Sequence, residues 1–157
     1  LLIGCGDIAL RAARLLSPNF RLYGLTRQRD QHAALRAAGI TPIAGDLDQV
    51  RTLARLRLSP YAVLHCAPPA AGGDDDFRTR NLIAALASAR SLPCRFVYVS
   101  TSGVYGDCQG QRFDETRPLR PGTGATDGGA SAVADAYHAG LVPPFCLAAV
   151  KDFFAAR

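Results

Sequence analysis

The feature that most constrains the fold is a regular alternation, over the first 100 residues, of short apolar segments with segments of helical periodicity. The apolar segments predict strands at residues 1–3, 21–26, 41–44, 61–66 and 95–100. The segments between them predict helices at residues 7–16, 30–38, 47–56 and 74 to about 89. Because strands that alternate with helices are joined by right-handed crossovers, the pattern predicts a parallel sheet.

This order of elements predicts an α/β fold: a Rossmann-like, doubly wound parallel sheet with strand order 3-2-1-4-5. We expect any ligand to lie beyond the carboxyl ends of the strands. The first helix should bury an apolar face that contains Ile8, Ala12 and Leu15. Three carboxylates at residues 74–76 open the last helix, where they favour its positive end, so capping explains them better than a metal site does.

The composition excludes several classes of protein. The 157 residues are 48% apolar and 20% charged, which is typical of a globular domain and not of a disordered or collagen-like chain. No apolar run approaches the roughly 20 residues that a membrane-spanning helix needs. No secretory signal opens the chain. We therefore expect a cytoplasmic protein without a membrane partner.

The charge and the cysteine spacing indicate which classes of binding partner to expect. The net charge of +5 comes from 17 arginines and one lysine, Lys151. A basic chain can bind nucleic acid, but these arginines are spread singly over the predicted helices, as on solvated helix faces. We therefore expect a small-molecule substrate and no nucleic acid, and a homodimer stays open. The five cysteines show no metal-type spacing, so we expect no metal and reduced thiols, with Cys66 and Cys94 as small core residues.

The turn after the first strand carries a glycine pattern, G-x-G-x-x-A, at residues 4–9. Gly4 permits a tight turn, Gly6 lets the backbone approach a pyrophosphate, and a small Ala9 allows the helix to pack closely on the strand. The helix start at Asp7 and Ile8 offers free N–H groups to phosphates. The pattern could be a turn without a ligand, but its place between a strand and a helix favours dinucleotide binding.

The end of the second strand indicates which dinucleotide is bound. An NAD site usually places Asp or Glu about 20 residues after the glycine loop, on the ribose 2′-hydroxyl. Here the strand ends in Thr26 followed by Arg27, and no carboxylate is present. Because Arg27 could pair with a 2′-phosphate, NADP(H) is favoured over NAD(H). The alternative is that Arg27 is a solvated loop cation.

The chain changes character after residue 121. Residues 122–157 are rich in Gly, Ala, Ser and Thr, show only a weak helical pattern near residues 130–139, and lack arginine until Arg157. We predict a dinucleotide-binding Rossmann domain at residues 1–121. The irregular tail at 122–157 is either a lid or substrate region or a non-native continuation. The absence of methionine fits a truncated fold, that is, a fragment of a longer protein.

Five motifs occur in order and at matching spacing: the glycine loop (4–9), GDL (45–47), HCAPP (65–69), TRNLIAAL (79–86) and VYVSTSGVYGD (97–107). Together they resemble the short-chain dehydrogenase/reductase superfamily, in its extended, NAD-dependent epimerase/dehydratase branch and in an atypical subgroup. The resemblance covers residues 1 to about 121. Its most specific part is STSGVYGD (100–107) followed by DETRPLRP (114–121).

The resemblance implies a role for several residues at the strand ends. Asp46 and Leu47 would border the adenine, and Asn81 would help to tie the fourth helix to the sheet. The resemblance also implies a cofactor-facing turn, whose residues would line the ribose and pyrophosphate: Cys66, Ala67 and Pro68. At the end of the fifth strand it implies a hydroxyl cluster, in which Ser100 lies near the nicotinamide ribose, Thr101 occupies the catalytic Ser/Thr position and Ser102 is a weaker catalytic candidate.

The chain departs from this family where a proton relay is expected. The family pairs a Tyr with a Lys four residues later, but Tyr137 is followed by Leu141 at that spacing, and Tyr105 is more often a packing residue. Two functions therefore stay open. The first is an NADP(H)-dependent oxidoreductase or epimerase/dehydratase-like enzyme. The second is a non-catalytic NADP-binding redox sensor or a degenerate family member.

Overall fold

The alternating elements of the sequence are present in a computed structural model, which describes residues 1–56, 59–68, 76–89, 92–99 and 109–112. The strands are β1 (Leu2–Ile3), β2 (Leu22–Thr26), β3 (Ile40–Ala44), β4 (Ala62–His65) and β5 (Arg95–Tyr98). The α-helices are α1 (Asp7–Leu16), α2 (His32–Ala37) and α3 (Phe77–Ala87), and Val50–Leu56 forms a 3-10 helix. No helix in these ranges has the length and apolar character needed to cross a membrane.

All five strands form one parallel sheet in the order β3-β2-β1-β4-β5. The predicted fold class and strand order are therefore confirmed. β1 lies at the centre, where Ile3 is level with Leu25 on one side and with His65 on the other. Because the strands are parallel, the segments that follow β1, β2, β3 and β4 all emerge at the same edge of the sheet.

Two apolar cores flank the sheet, one on each face. Adjacent β1 residues belong to different cores, since successive side chains of a strand point to opposite faces: Leu2 packs with α1 and α2, and Ile3 packs with the 3-10 helix and α3. The sheet is therefore covered by helices on both faces, as the continuous apolar strands predict.

The buried face of α1 differs from the predicted one. The helix has the predicted bounds, but it buries Ala9, Ala12 and Ala13, whereas Ile8 is 38% and Leu15 is 74% exposed. Three alanines let the helix axis lie close to the sheet, so the larger apolar side chains fall outside the contact. Ile8 and Leu15 instead border an apolar groove of about 730 Å³.

The segment predicted as a helix at 47–56 forms a 3-10 helix over Val50–Leu56 only. The Thr52 hydroxyl accepts from the Asp46 amide (2.8 Å) and donates to the Gln49 carbonyl (2.7 Å). Such local side-chain bonds replace the first turn of an α-helix with a tighter one. The apolar periodicity is still used, because Leu53 and Leu56 are buried in the core shared with α3.

The N-terminus of α3 is capped by a carboxylate. The Asp76 carboxylate accepts from the Thr79 amide (3.1 Å) as the helix N-cap, which agrees with the capping role predicted for this carboxylate.

Cys66 is partly buried, but Cys94 is exposed, so the core role predicted for Cys94 is wrong. Cys94 precedes β5 at the amino edge of the sheet, where its amide donates to the Tyr61 carbonyl and its side chain meets solvent.

Candidate functional site

A cavity of about 320 Å³ opens at the carboxyl ends of β1, β2, β3 and β4, where the fold predicts a ligand. Nine residues singled out from the sequence line it: Gly4, Gly6, Thr26, Arg27, Asp46, Leu47, Cys66, Ala67 and Pro68. The fold thus brings together residues that are up to 64 positions apart in the chain. This is the expected place for a ligand at the centre of a doubly wound sheet.

Gly4 is held by two independent constraints. Its φ of 79° lies in the left-handed region, which side chains disfavour. A Cβ at this position would lie 2.5 Å from the Ala67 nitrogen and 2.6 Å from the Ala67 Cα. The backbone of the turn after β4 therefore passes directly against the turn after β1, and these two turns form one wall of the cavity.

Gly6 plays a different part in the same loop. It is the N-cap of α1 with extended backbone, and a Cβ here would meet nothing within 4 Å. No side chain caps the helix, so its first N–H groups have no partner from the cap residue. Ala9, one turn further, is buried against the sheet. Gly6 thus leaves free space next to a helix N-terminus, an arrangement that suits a phosphate group.

Asp7 and Ile8 do not line the cavity with their side chains. The Asp7 carboxylate forms an exposed ion pair with Arg11 one turn along α1 (2.8 Å). Ile8 faces the apolar groove on the other side of the helix. Their predicted contribution to phosphate binding is limited to the backbone N–H groups and stays a prediction.

The end of β2 forms a second wall, opposite the first. Thr26 is buried, its hydroxyl donates to Gln31 Oε1 (3.2 Å) and accepts from the Gln28 amide (3.1 Å), and these bonds shape the turn into α2. Arg27 is exposed and lines the cavity. Gln28 and Gln31 also line it, so no carboxylate stands at the end of β2.

The segment after β3 closes the cavity at the same side. The Asp46 carboxylate accepts from the Asp48 amide (3.0 Å), and Asn81 donates from α3 to the Leu47 carbonyl (2.8 Å). The resemblance implied that Asn81 ties its helix to the sheet, and this bond joins α3 to the segment that leaves β3. Asp46 and Leu47 thereby keep a fixed place in the cavity wall.

An ion pair that the sequence does not predict spans the cavity rim. Arg78 of α3 binds the Asp48 carboxylate with two nitrogens, Nε (2.6 Å) and Nη2 (2.7 Å), and donates from Nη1 to the Pro68 carbonyl (3.3 Å). The guanidinium holds the pKa of Asp48 below its ordinary value. Only the acidic residue directly after GDL could have indicated this contact, since the two partners lie 30 residues apart.

Two thiols, Cys5 and Cys66, lie in the cavity wall, and both line the cavity. Burial raises the pKa of each thiol to about 11. Since only a thiolate is an effective nucleophile, neither is suited to covalent catalysis near neutral pH. Among the described residues, no group of three His, Cys, Asp or Glu side chains could hold a metal ion.

Beneath the cavity lies a polar chain of four buried side chains that the sequence does not predict either: His65, Thr79, Asp76 and Tyr98. His65 Nε2 and Thr79 Oγ1 are 3.0 Å apart, and the Thr79 hydroxyl donates to Asp76 Oδ2 (2.6 Å). Burial lowers the pKa of His65 to about 4, so the ring is neutral at pH 7. A histidine that ends a buried strand was the one sequence signal available for this cluster.

The candidate catalytic residues Thr101 and Ser102, the cofactor candidate Ser100, and the tyrosines Tyr105 and Tyr137 all lie outside the described residues. The same holds for the domain boundary at residue 121 and for residues 122–157. Their predicted roles stay predictions.

The chain matches one family model over residues 10–124, that of the NAD dependent epimerase/dehydratase family. The matched segment extends from α1 beyond β5 and so includes most of the cavity wall. No curated protein matches the chain.

Solved structures match the fold over most of the chain. A functionally unknown conserved protein from Silicibacter pomeroyi DSS is 30% identical, with a TM-score of 0.57 and coverage of 85% of this chain and 45% of that one. A double mutant of DesIV, the dTDP-glucose 4,6-dehydratase from Streptomyces venezuelae with NAD and DAU bound, is 26% identical, with a TM-score of 0.63 and coverage of 88% and 51%.

The UDP-Glc/GlcNAc 4-epimerase from Campylobacter jejuni shares the fold at 20% identity, with a TM-score of 0.69 and coverage of 88% of this chain and 49% of the other. The chain therefore spans about half the length of the solved structures that it matches.

Proposed function

The chain belongs to the NAD dependent epimerase/dehydratase family, and from this premise we propose that its cavity binds a nicotinamide dinucleotide, with NADP(H) favoured over NAD(H). The observation that carries the proposal is the open space at Gly6 beside the uncapped N-terminus of α1. A diphosphate has both the negative charge and the acceptor oxygens that such a helix start attracts.

The preference for NADP(H) rests on the wall at the end of β2. Arg27 is exposed there and lines the cavity, and no carboxylate occupies the position that would accept a bond from a ribose 2′-hydroxyl. A guanidinium pairs with a phosphate through charge-assisted hydrogen bonds and gains much less from a neutral hydroxyl. The DesIV structure was solved with NAD, so the NADP(H) preference would distinguish this chain from that enzyme.

We propose that the intact protein is an oxidoreductase or epimerase/dehydratase-like enzyme that transfers a hydride between this cofactor and a small-molecule substrate. Thr101 is the hydroxyl proposed to bind the reacting oxygen of the substrate, with Ser102 as the weaker candidate. Both follow β5, whose neighbour β4 ends at the cavity wall. The substrate test would include nucleotide sugars such as dTDP-glucose, the compound in the name of DesIV.

A second function is favoured by one sequence observation, the leucine at the position where a Tyr–Lys pair would place its lysine. The chain would then be a non-catalytic NADP-binding redox sensor or a degenerate family member. Tight NADPH binding without turnover on nucleotide sugars and simple carbonyl compounds is the result expected for this function, whereas turnover would exclude it.

Titration of the purified chain with NADPH and NADH, followed by calorimetry, tests the proposal. We expect NADPH to bind more tightly. Arg27→Ala should weaken NADPH binding by about ten-fold or more, the worth of one charge-assisted hydrogen bond, and leave NADH binding nearly unchanged. Arg36→Ala, an exposed arginine of α2 that does not line the cavity, is the matched control. A wild-type chain that binds neither dinucleotide would overturn the proposal.

A further inference from the structure

The polar chain beneath the cavity has no part in the function proposed above. His65 ends β4, Thr79 and Asp76 lie at the start of α3, and Tyr98 ends β5. The first three are fully buried, and Phe96 and Tyr98 pack edge-on against the His65 ring. Burying polar groups among apolar ones is unfavourable unless they are hydrogen-bonded. The presence of this polar chain in the core therefore requires an explanation.

The hydrogen bonds of the polar chain all run in one direction, from the Ala67 amide to the Asp76 carboxylate. The Ala67 amide donates to His65 Nδ1 (3.3 Å), so this nitrogen carries no proton. The ring proton is therefore on Nε2, which donates to Thr79 Oγ1 (3.0 Å). The Thr79 hydroxyl is then free to donate to Asp76 Oδ2 (2.6 Å). Only the Nε2–H tautomer of His65 satisfies all three bonds.

The two ends of the polar chain, Asp76 and the Ala67 backbone, are held very differently. Asp76 is anchored, since its carboxylate also accepts from the Thr79 amide (3.1 Å) and from the Tyr98 hydroxyl (3.4 Å). The other end is the backbone of Ala67, which lies in the cavity wall and in the space that a Cβ on Gly4 would need. The hydrogen bonds thus run from an anchored helix start to the wall that faces the ligand.

We propose that His65 is a positioning residue for the dinucleotide: with Thr79 and Asp76 it holds the Ala67 amide, and so the turn at residues 66–68, in the place against Gly4 that keeps the cavity open. This inference rests on the proposed function, since it assumes that the cavity takes a dinucleotide. It adds a specific claim, that the affinity for the dinucleotide depends on the tautomer of His65, a buried residue that does not contact the ligand.

Two substitutions of His65 separate positioning from packing. In His65→Asn the side-chain oxygen lies near the place of Nδ1 and can still accept from Ala67, but it cannot reach Thr79. In His65→Gln the side chain reaches Thr79 but has no acceptor near Ala67. Positioning predicts that His65→Gln, which loses the bond to Ala67, weakens NADPH binding about ten-fold. His65→Asn keeps that bond and loses only the support from Thr79, so it should weaken binding less, by about three-fold.

Val63→Ala is the matched control for lost packing. Val63 lies two residues earlier in β4, on the same face, and is buried in the same core, but it has no polar side-chain atom and does not line the cavity. It should lower the free energy of unfolding and leave NADPH affinity unchanged. Equal losses of affinity in both His65 variants and in Val63→Ala would show a packing role and overturn the inference.

Thr79→Val provides a second variant in case the His65 substitutions do not fold. It keeps the shape of Thr79 and removes the hydroxyl that joins His65 to Asp76. We expect weaker NADPH binding than in the wild type and faster exchange of the Ala67 amide proton, with both restored in Thr79→Ser. Unchanged affinity and unchanged exchange in Thr79→Val would contradict the inference.

Nitrogen NMR of the wild-type His65 ring gives a readout that does not require a ligand. The expected spectrum is that of a neutral ring protonated on Nε2, and an Nδ1–H tautomer would overturn the hydrogen-bond assignment. Failure of the wild type to bind either dinucleotide would overturn the proposed function and this inference together. Binding by the wild type with equal affinity in His65→Gln would overturn this inference alone.

Discussion

The two walls of the cavity are built in different ways. The β1–β4 wall, formed by Gly4 and residues 65–68, consists of backbone segments in close contact above buried hydrogen bonds. The β2–β3 wall, formed by residues 26–28 and 45–47, consists of short turns that carry the exposed Arg27, and the exposed Asp48 follows it directly. We infer that the first wall sets the shape of the site and the second sets its charge, so substitutions should cost stability in the first and change selectivity in the second.

The largest expected effect is that of Gly4→Ala in the β1–β4 wall. The new Cβ would meet the Ala67 backbone at 2.5 Å, and an alanine would have to adopt a φ of 79°. Overpacking against backbone together with a left-handed conformation should lower the free energy of unfolding by about 4 kcal/mol. Urea unfolding at pH 7 measures this difference, and a loss below about 1 kcal/mol would mean that the two turns can move apart.

Gly6→Ala sharpens the contrast within the same loop. Its Cβ would meet nothing within 4 Å, and the backbone of Gly6 is extended, so we expect the free energy of unfolding to change by less than about 1 kcal/mol. The methyl group would instead occupy the space proposed for the diphosphate, and NADPH affinity should fall at least about ten-fold. Calorimetric titration of the folded variant checks this, and unaltered affinity would place the diphosphate elsewhere.

The pH dependence of stability tests the buried part of the β1–β4 wall. Burial lowers the pKa of His65 to about 4, although the Asp76 carboxylate acts in the opposite direction. The unfolded chain takes up a proton near pH 6.5 and the folded chain does not until about pH 4. Stability is therefore lost as the pH falls through this window, by roughly 3 kcal/mol in total.

The measurement is the difference in unfolding free energy between wild type and His65→Asn at several pH values from 7 to 4. The subtraction removes the groups that titrate alike in both proteins and leaves His65 together with the Asp76 carboxylate that interacts with it. We expect the wild type to lose more stability than the variant over this range. Parallel curves would mean that folded His65 takes up its proton near the same pH as unfolded His65, so that burial does not lower its pKa.

The smallest effect is expected at the Asp48–Arg78 pair, which lies beside the β2–β3 wall at the cavity rim. The two side chains are 32% and 23% exposed, so solvent screens their attraction. Asp48→Asn should lower the free energy of unfolding by less than about 1 kcal/mol, and the difference should shrink near 1 M salt. Urea unfolding at low and high salt checks both statements. A loss comparable to that of Gly4→Ala would remove the contrast between the walls.

The sequence predicts most of the fold because its patterns are local. The bounds of α1 are predicted to the residue, since an amphipathic run from Asp7 is stopped by Ser17 and Pro18. The 3-10 helix and the buried face of α1 are not predicted, because each depends on a contact that the pattern does not encode. One is the Thr52 hydroxyl bond to the Asp46 amide, and the other is the distance between the helix and the sheet.

The site shows the same division. The glycine pattern and the end of the second strand single out four residues that line the cavity, and the family resemblance adds five more. They lie together because parallel strands bring their carboxyl ends to one edge. The Asp48–Arg78 pair and the His65–Thr79–Asp76 chain are not predicted. Their partners are 30 and 14 residues apart, and in both cases the residue types have ordinary surface or capping roles.

The sequence by itself determined the order of the elements, the parallel sheet and the edge at which the cavity opens, because periodicity, glycine and proline act over a few neighbouring residues. Only the tertiary structure decided which side chains face the cavity, that Gly4 must lack a Cβ, and that His65 is buried and neutral. Those facts depend on which segments pack against one another in three dimensions, and a local sequence pattern does not encode that packing.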